Sequence, residues 1–109
     1  MKDLKIIVPE NARELGEKVQ QHLSEMRGTE EVYVMHMNKH GLVRFNNGEG
    51  KCVIDESMRD KDLYILSDVS NRAVTYNLCG DAHRMAPDEH FMDILRILSA
   101  NVDMLQREL

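Results

Sequence analysis

The apolar block Leu4-Lys5-Ile6-Ile7-Val8, closed by Pro9, reads as a short buried strand. A helical pattern follows it. Asn11 is a good N-cap and Glu14 stands three residues on, as in a capping box. Ala12, Leu15, Val19, Leu23 and Met26 then recur on one face, and Gly28 suits the stop. A strand followed at once by a helix points to an α/β unit. Residues 32–37 are a second strand candidate, and residues 38–41 a turn. Leu42-Val43-Arg44-Phe45 and Lys51-Cys52-Val53-Ile54 flank Asn46-Asn47-Gly48-Glu49-Gly50. Asn47-Gly48 between two β-prone runs predicts a hairpin in which both turn residues take positive φ. Residues 55–62 form a charged connection, and Leu63-Tyr64-Ile65-Leu66 reads as a central strand.

Residues 68–86 show weak periodicity. They read as a long loop with one short helical turn around residues 74–79, and loops of this length are often functional. The last element is clearer. Pro87 opens a helix, Asp88 and Glu89 suit its positive end, and Phe91, Ile94, Leu95, Leu98, Val102, Leu105 and Leu109 form an apolar stripe. No repeat or linker divides residues 1–109, so one domain is expected. A helix of this kind is a crossover that should deliver the chain to another parallel strand, so the sequence looks cut short.

Composition narrows the class. In 109 residues, 42% are hydrophobic and 30% charged, which argues for a globular chain rather than a disordered one. Lys plus Arg is 14 against 19 Asp plus Glu, a net charge of −5, so the basic footprint of a nucleic-acid binder is missing. No apolar run approaches the roughly 18 residues of a membrane span. The block at residues 6–8 is too short for a signal-peptide core. Cys52 and Cys79 do not make a disulfide scaffold, and the expected setting is the reduced cytoplasm.

Two stretches could carry chemistry. Phe45-Asn46-Asn47-Gly48-Glu49 is by spacing alone an ordinary hairpin turn, or else a base-binding tip. In the second case Phe45 offers a stacking face, and Asn47 and Glu49 the donors and acceptors an amino-purine edge needs. Glu56-Ser57-Met58-Arg59-Asp60-Lys61-Asp62 is a solvated connection, or else an anion site with Arg59 as a planar fork and the Ser57 hydroxyl beside it. His36 and His40 are four apart, as are Cys79 and His83, but no zinc-ligand or metalloprotease spacing is present. No phosphate-cradling glycine motif and no nucleophile elbow occurs. The 8 scattered methionines read as core filler.

Taken in order, three motifs resemble the N-terminal domain of ribose-phosphate diphosphokinase (phosphoribosyl pyrophosphate synthetase). The first is Arg44-Phe45-Asn46-Asn47-Gly48-Glu49. The second is Glu56-Ser57-Met58-Arg59-Asp60-Lys61-Asp62 with the apolar run 63–66. The third is Asp88-Glu89-His90-Phe91-Met92-Asp93-Ile94-Leu95. Together they span most of the chain. The resemblance implies a type I phosphoribosyltransferase-like α/β fold, mainly a parallel sheet flanked by helices, with a projecting β-hairpin flap. It implies that the flap tip reaches the ATP of a neighbouring subunit, with Phe45 stacking on adenine and Asn47 and Glu49 bonding its edge. Ser57 and Arg59 map onto the family's regulatory phosphate site.

The parent reaction would move a diphosphoryl group from Mg-ATP to the anomeric hydroxyl of ribose 5-phosphate, in nucleotide biosynthesis. The family's ATP-phosphate motif, metal-binding histidine segment and ribose 5-phosphate loop have no counterpart here. No catalytic residue and no metal ligand is therefore assigned, and the isolated chain is expected to be inactive and to bind Mg and ATP weakly. A homo-oligomer is expected, with no nucleic acid and no membrane among its partners. The alternative is a non-catalytic regulatory or structural subunit that associates with a catalytic homologue. Three departures stand out: Asp60 where the family usually has Gly, Ser67-Asp68 where it has Gln-Ser, and a longer loop over residues 72–86.

Overall fold

A computed structural model describes residues 3–37 and 41–108, without the side chains of 36, 37 and 103–108. The turn expected at 38–41 therefore lies largely outside the described residues, as do the side chains of His36, His40, Leu105 and Leu109. Strand β1 (Asp3–Val8) is the middle of a three-stranded parallel sheet, between β2 (Val32–Val34) and β6 (Lys61–Ile65). The run at 63–66 thus forms an edge strand rather than the central one. It pairs with β1 in the register Lys5 to Leu63 and Ile7 to Ile65, and Tyr64 is left exposed. The centre falls to β1, where Ile7 and Val8 are both fully buried.

Alternation along β1 sends Ile7 and Val8 to opposite faces. Ile7 enters a core with Met35, Leu42, Met58 and Ile97. Val8 meets helix α1 (Arg13–Arg27) at Gly16, where an added Cβ would stand 2.7 Å from Val8 Cγ1. Seating the helix on its smallest residue turns Ala12, Gly16 and, in part, Val19 and Leu23 inward. Leu15 and Met26 of the expected stripe stay exposed. The stop is as expected: Gly28 is left-handed (φ 70°) and its N–H donates to Ser24 O at 2.9 Å. The start is not. Asn11 lies in a 3-10 turn (Glu10–Ala12), and the N-cap of α1 is Ala12, with no side-chain cap bond.

The strand expected at 32–37 splits. Met35 donates to Val8 O and is fully buried, after which β3 (His36–Met37) joins a second sheet with β4 (Gly41–Arg44) and β5 (Gly50–Val53). The long loop expected over residues 68–86 has no helical turn around 74–79, and its second half is not a loop. That half holds an antiparallel hairpin, β7 (Thr75–Leu78) and β8 (Asp81–Arg84), closed by Cys79-Gly80 at φ 52° and 95°. Two consecutive left-handed residues make this the primed turn that matches strand twist.

Helix α2 (Pro87–Glu108) begins at the expected proline but faces inward along a different line. His90, Asp93, Ile97 and Asn101 are buried, whereas Phe91, Leu95, Leu98 and Val102 of the expected stripe are exposed. The helix is turned by about one residue, roughly 100°. Polar bonds at His90 and Asp93, described below, hold it there.

Candidate functional site

The hairpin expected as a flap is the β4–β5 pair, in register from Gly41 with Val53 to Arg44 with Gly50. Its tip is closed by the Phe45 N–H to Glu49 O and the Gly48 N–H to Phe45 O, both 2.9 Å. Gly48 has φ 89°, but Asn47 is not left-handed; Asp60 and Cys79 are the only such non-glycine positions among the described residues. The tip is thus a longer loop ending in a glycine bulge, not the two-residue turn expected. Asn47 Oδ1 accepts the Glu49 N–H at 3.0 Å, which stiffens the loop and frees the Asn47 amide NH2 to face outward chemistry. Phe45 is 47% exposed, and Asn47 and Glu49 are exposed beside it. All three residues expected to contact a base therefore share one exposed tip.

Behind the tip lies a charged cluster that sequence reasoning missed. Arg44, buried to 3% side-chain exposure, donates to Asp93 Oδ1 at 2.8 Å and to Gly48 O at 3.1 Å. Its guanidinium lies 4.9 Å from the Tyr76 ring centroid, a cation–π contact. Arg96 also donates to Asp93 Oδ1, at 2.7 Å, with its guanidinium against Gly50. One buried carboxylate on α2 therefore ties down both strands of the flap. Burial, with the Asp93 charge as a lesser cause, pushes the Cys52 thiol on β5 up to about 11.

The β7–β8 hairpin is anchored to the first turn of α2. Tyr76 OH donates to Glu89 Oε2 at 2.7 Å, and His83 Nε2 meets Glu89 Oε1 at 2.6 Å. Burial alone would raise the Glu89 pKa. Hydrogen bonds from Tyr76, His83 and the Ala86 N–H, with the charge of His83, outweigh it and leave the carboxyl below its ordinary value. Burial and the Glu89 hydrogen bond raise the Tyr76 phenol.

A second polar hub joins the carboxyl ends of β1 and β6. Asn11 Nδ2 donates to Ser67 Oγ and to His90 Nδ1, both at 3.0 Å, while Asn11 Oδ1 accepts the Asp68 N–H at 3.1 Å. His90 Nε2 contacts the Asn71 carbonyl at 2.8 Å, and a carbonyl only accepts, so Nε2 carries the proton and Nδ1 accepts. The departure at Ser67-Asp68 thus sits in this hub. An adjoining cleft of about 780 Å3 is lined by Asn11, Arg13, Lys18, Asp68, Asn71 and Thr75.

Ser57 and Arg59, expected to bind phosphate, flank buried Met58 on the connection from β5 to β6 and are both exposed. The Arg59 N–H points to Ser57 Oγ at 3.4 Å. Asp60 after them is left-handed at φ 59°, which gives a reason for the family's glycine there. Cys79 and His83 do not form a pair: Cys79 turns to Asn46 and His83 to Glu89. Among the described residues, no three His, Cys, Asp or Glu side chains gather as metal ligands, and no helix is long and apolar enough to cross a membrane.

A family model described as the N-terminal domain of ribose phosphate pyrophosphokinase matches residues 4–105. No curated protein and no solved structure matches the chain.

Proposed function

The chain belongs to the family of the N-terminal domain of ribose phosphate pyrophosphokinase, and from that premise we propose that its flap tip supplies the adenine contacts for ATP bound in a neighbouring subunit. The observation that carries this reading is the shared exposure of Phe45, Asn47 and Glu49 on one stiffened tip. With its Oδ1 engaged by the Glu49 N–H, Asn47 presents amide donors. Glu49 presents acceptors. An adenine edge offers an amino donor beside a ring-nitrogen acceptor, so the pair is complementary to it, and Phe45 adds a face for the ring. The whole enzyme would transfer diphosphate from Mg-ATP to ribose 5-phosphate, the phosphates and magnesium being held by groups other than those on the tip. Such transfer rests on positioning and on charge neutralisation, and the tip contributes only the first. The type I phosphoribosyltransferase-like arrangement, assembly as a homo-oligomer in the cytoplasm and a regulatory phosphate at Ser57 and Arg59 belong to the same proposal.

Stacking on one aromatic ring is worth about 1–3 kcal/mol, so the tip alone would hold ATP in the millimolar range or weaker. Saturation-transfer NMR with Mg-ATP detects such binding. The adenine protons are expected to receive saturation from the chain, and Phe45→Ala to abolish it without unfolding the protein. Absence of adenine saturation, or its persistence in Phe45→Ala, would overturn the reading. Incubated alone with ribose 5-phosphate and Mg-ATP, the chain is expected to form no phosphoribosyl pyrophosphate.

A further inference from the structure

We propose that the β7–β8 hairpin is a clasp that sets the position of the flap tip, making Tyr76, Leu78 and Cys79 positioning residues for the nucleotide contact. The inference rests on the reading of the tip given above and adds to it the element that holds the tip in place.

A two-stranded ribbon ending in a five-residue tip is marginally stable by itself. Here the tip is gripped from outside. The Cys79 N–H donates to the Asn46 carbonyl at 2.8 Å, and Cys79 Sγ reaches the same oxygen at 3.2 Å. Leu78 covers Gly48: a Cβ placed there would meet Leu78 Cδ1 at 3.2 Å and the Tyr76 hydroxyl at 3.5 Å. Tyr76 also stacks on Arg44, which donates to the Gly48 carbonyl. Asn46 and Gly48 therefore bracket Asn47, and both are held.

The grip is directed by the turn. Cys79 at φ 52° and Gly80 at φ 95° fold the hairpin back sharply and aim the Cys79 N–H at the flap rather than along β7. The Gly80 N–H is taken by Asn77 Oδ1 at 2.7 Å, which holds the turn in that form. The other end of the hairpin is fixed to α2 through Glu89, which accepts from Tyr76 and His83, whose rings lie 5.0 Å apart. Through Cys79 and Leu78 the clasp thus links the tip to a rigid helix beside the route that runs through Arg44 and Asp93, and Tyr76 touches both. A tip ordered before the base arrives does not lose that freedom on binding, and its affinity rises accordingly.

The test uses Leu78→Ala with Cys79→Gly in the full chain. Glycine keeps the left-handed turn and the N–H of residue 79, so the hairpin still closes, and the two substitutions strip from the tip the Leu78 cover and the Cys79 Sγ contact. Amide hydrogen exchange is read at residues 45–50 and at β1, and the Kd for Mg-ATP is read by saturation transfer, with Phe45→Ala as control. Faster exchange at the tip with unchanged exchange in β1, together with a Kd raised about three- to tenfold, is expected. A merely structural role would slow or speed both segments together. Unchanged tip exchange overturns the clasp. So does faster tip exchange with an unchanged Kd, and in both cases a Phe45-dependent signal leaves the adenine reading standing. A wild-type chain that gives no Phe45-dependent signal overturns the adenine reading and the positioning role together, and the exchange data then show whether the hairpin merely holds the tip.

Discussion

At the scale of single residues, backbone conformation and proton affinity decide most outcomes. Asp60 holds φ 59°, a region that costs an L-residue about 1–2 kcal/mol and glycine nothing. Glycine loses more freedom on folding, about 0.5–1 kcal/mol, so Asp60→Gly is expected to stabilise the chain by about 0.5 kcal/mol in urea unfolding. Glu89 titrates below its ordinary value when folded, so its contribution is complete above that value and is lost as pH falls through the depressed one. Wild type and Glu89→Gln should therefore differ in thermal midpoint at pH 7 and converge as the medium is acidified below the normal glutamate range. Convergence at neutral pH would remove Glu89 as the hairpin's anchor. Cys52, half-buried and pushed up to about 11, should resist alkylation at pH 7.5, while exposed Cys79 reacts; peptide mapping after iodoacetamide separates them. Residue positions were legible where the cause is local. Phe45, Asn47 and Glu49 share a turn whose spacing alone gathers them. Asn11 misled because its neighbours spell a cap, whereas its partner His90 lies 79 residues away and a cap bond competes with that hub.

Elements follow from how closely they approach. α1 sits on β1 through Gly16, and Val8, fully buried beneath it, has no room to swing aside. Gly16→Ala gains about 1 kcal/mol of helix propensity but forces a 2.7 Å contact, and overpacking costs about 1–3 kcal/mol. The clash is expected to win, with net destabilisation of about 1 kcal/mol in chemical denaturation. Val8→Ala should relieve part of it in a double-mutant cycle, which identifies the clash as the cause. Hydrophobic period located both helices but not their rotation. On α2 the outward line Phe91, Leu95, Leu98 is the more apolar one, yet His90 and Asp93 face inward because Asn11, Asn71, Arg44 and Arg96 meet them. Buried polar bonds outrank apolar count there, since an unmade one costs about 1–3 kcal/mol. The β7–β8 hairpin escaped detection for a related reason. Its turn carries cysteine, not asparagine or aspartate, at the first left-handed position, and Thr75-Tyr76-Asn77-Leu78 alternates too briefly to stand out.

The whole molecule pairs a narrow sheet with a long helix whose exposed side is apolar. Phe91, Leu95, Leu98 and Val102 keep between 42% and 55% of their surface in water. They are spaced by four, three and four residues, the repeat of a seam between two helices, and Leu105 and Leu109 continue it in sequence. A contiguous apolar line of this kind marks an association surface. That line makes self-association through α2 the expected behaviour in solution. The net charge of −5 opposes it at low ionic strength, because the Debye length then exceeds the spacing of surface charges. Added salt should therefore strengthen the assembly, the reverse of what salt does to charge-paired interfaces. Sedimentation velocity is expected to show a mass that rises with concentration and with salt. Leu95→Glu with Leu98→Glu should return the chain to a monomer while leaving the thermal midpoint of its fold within about 1 kcal/mol of stability, because substitutions at exposed positions cost little. A wild-type chain that stays monomeric at the highest soluble concentration would sink the homo-oligomer. It would also mean that the tip has no neighbouring copy of this chain to reach, so adenine binding would then have to be sought on a different subunit.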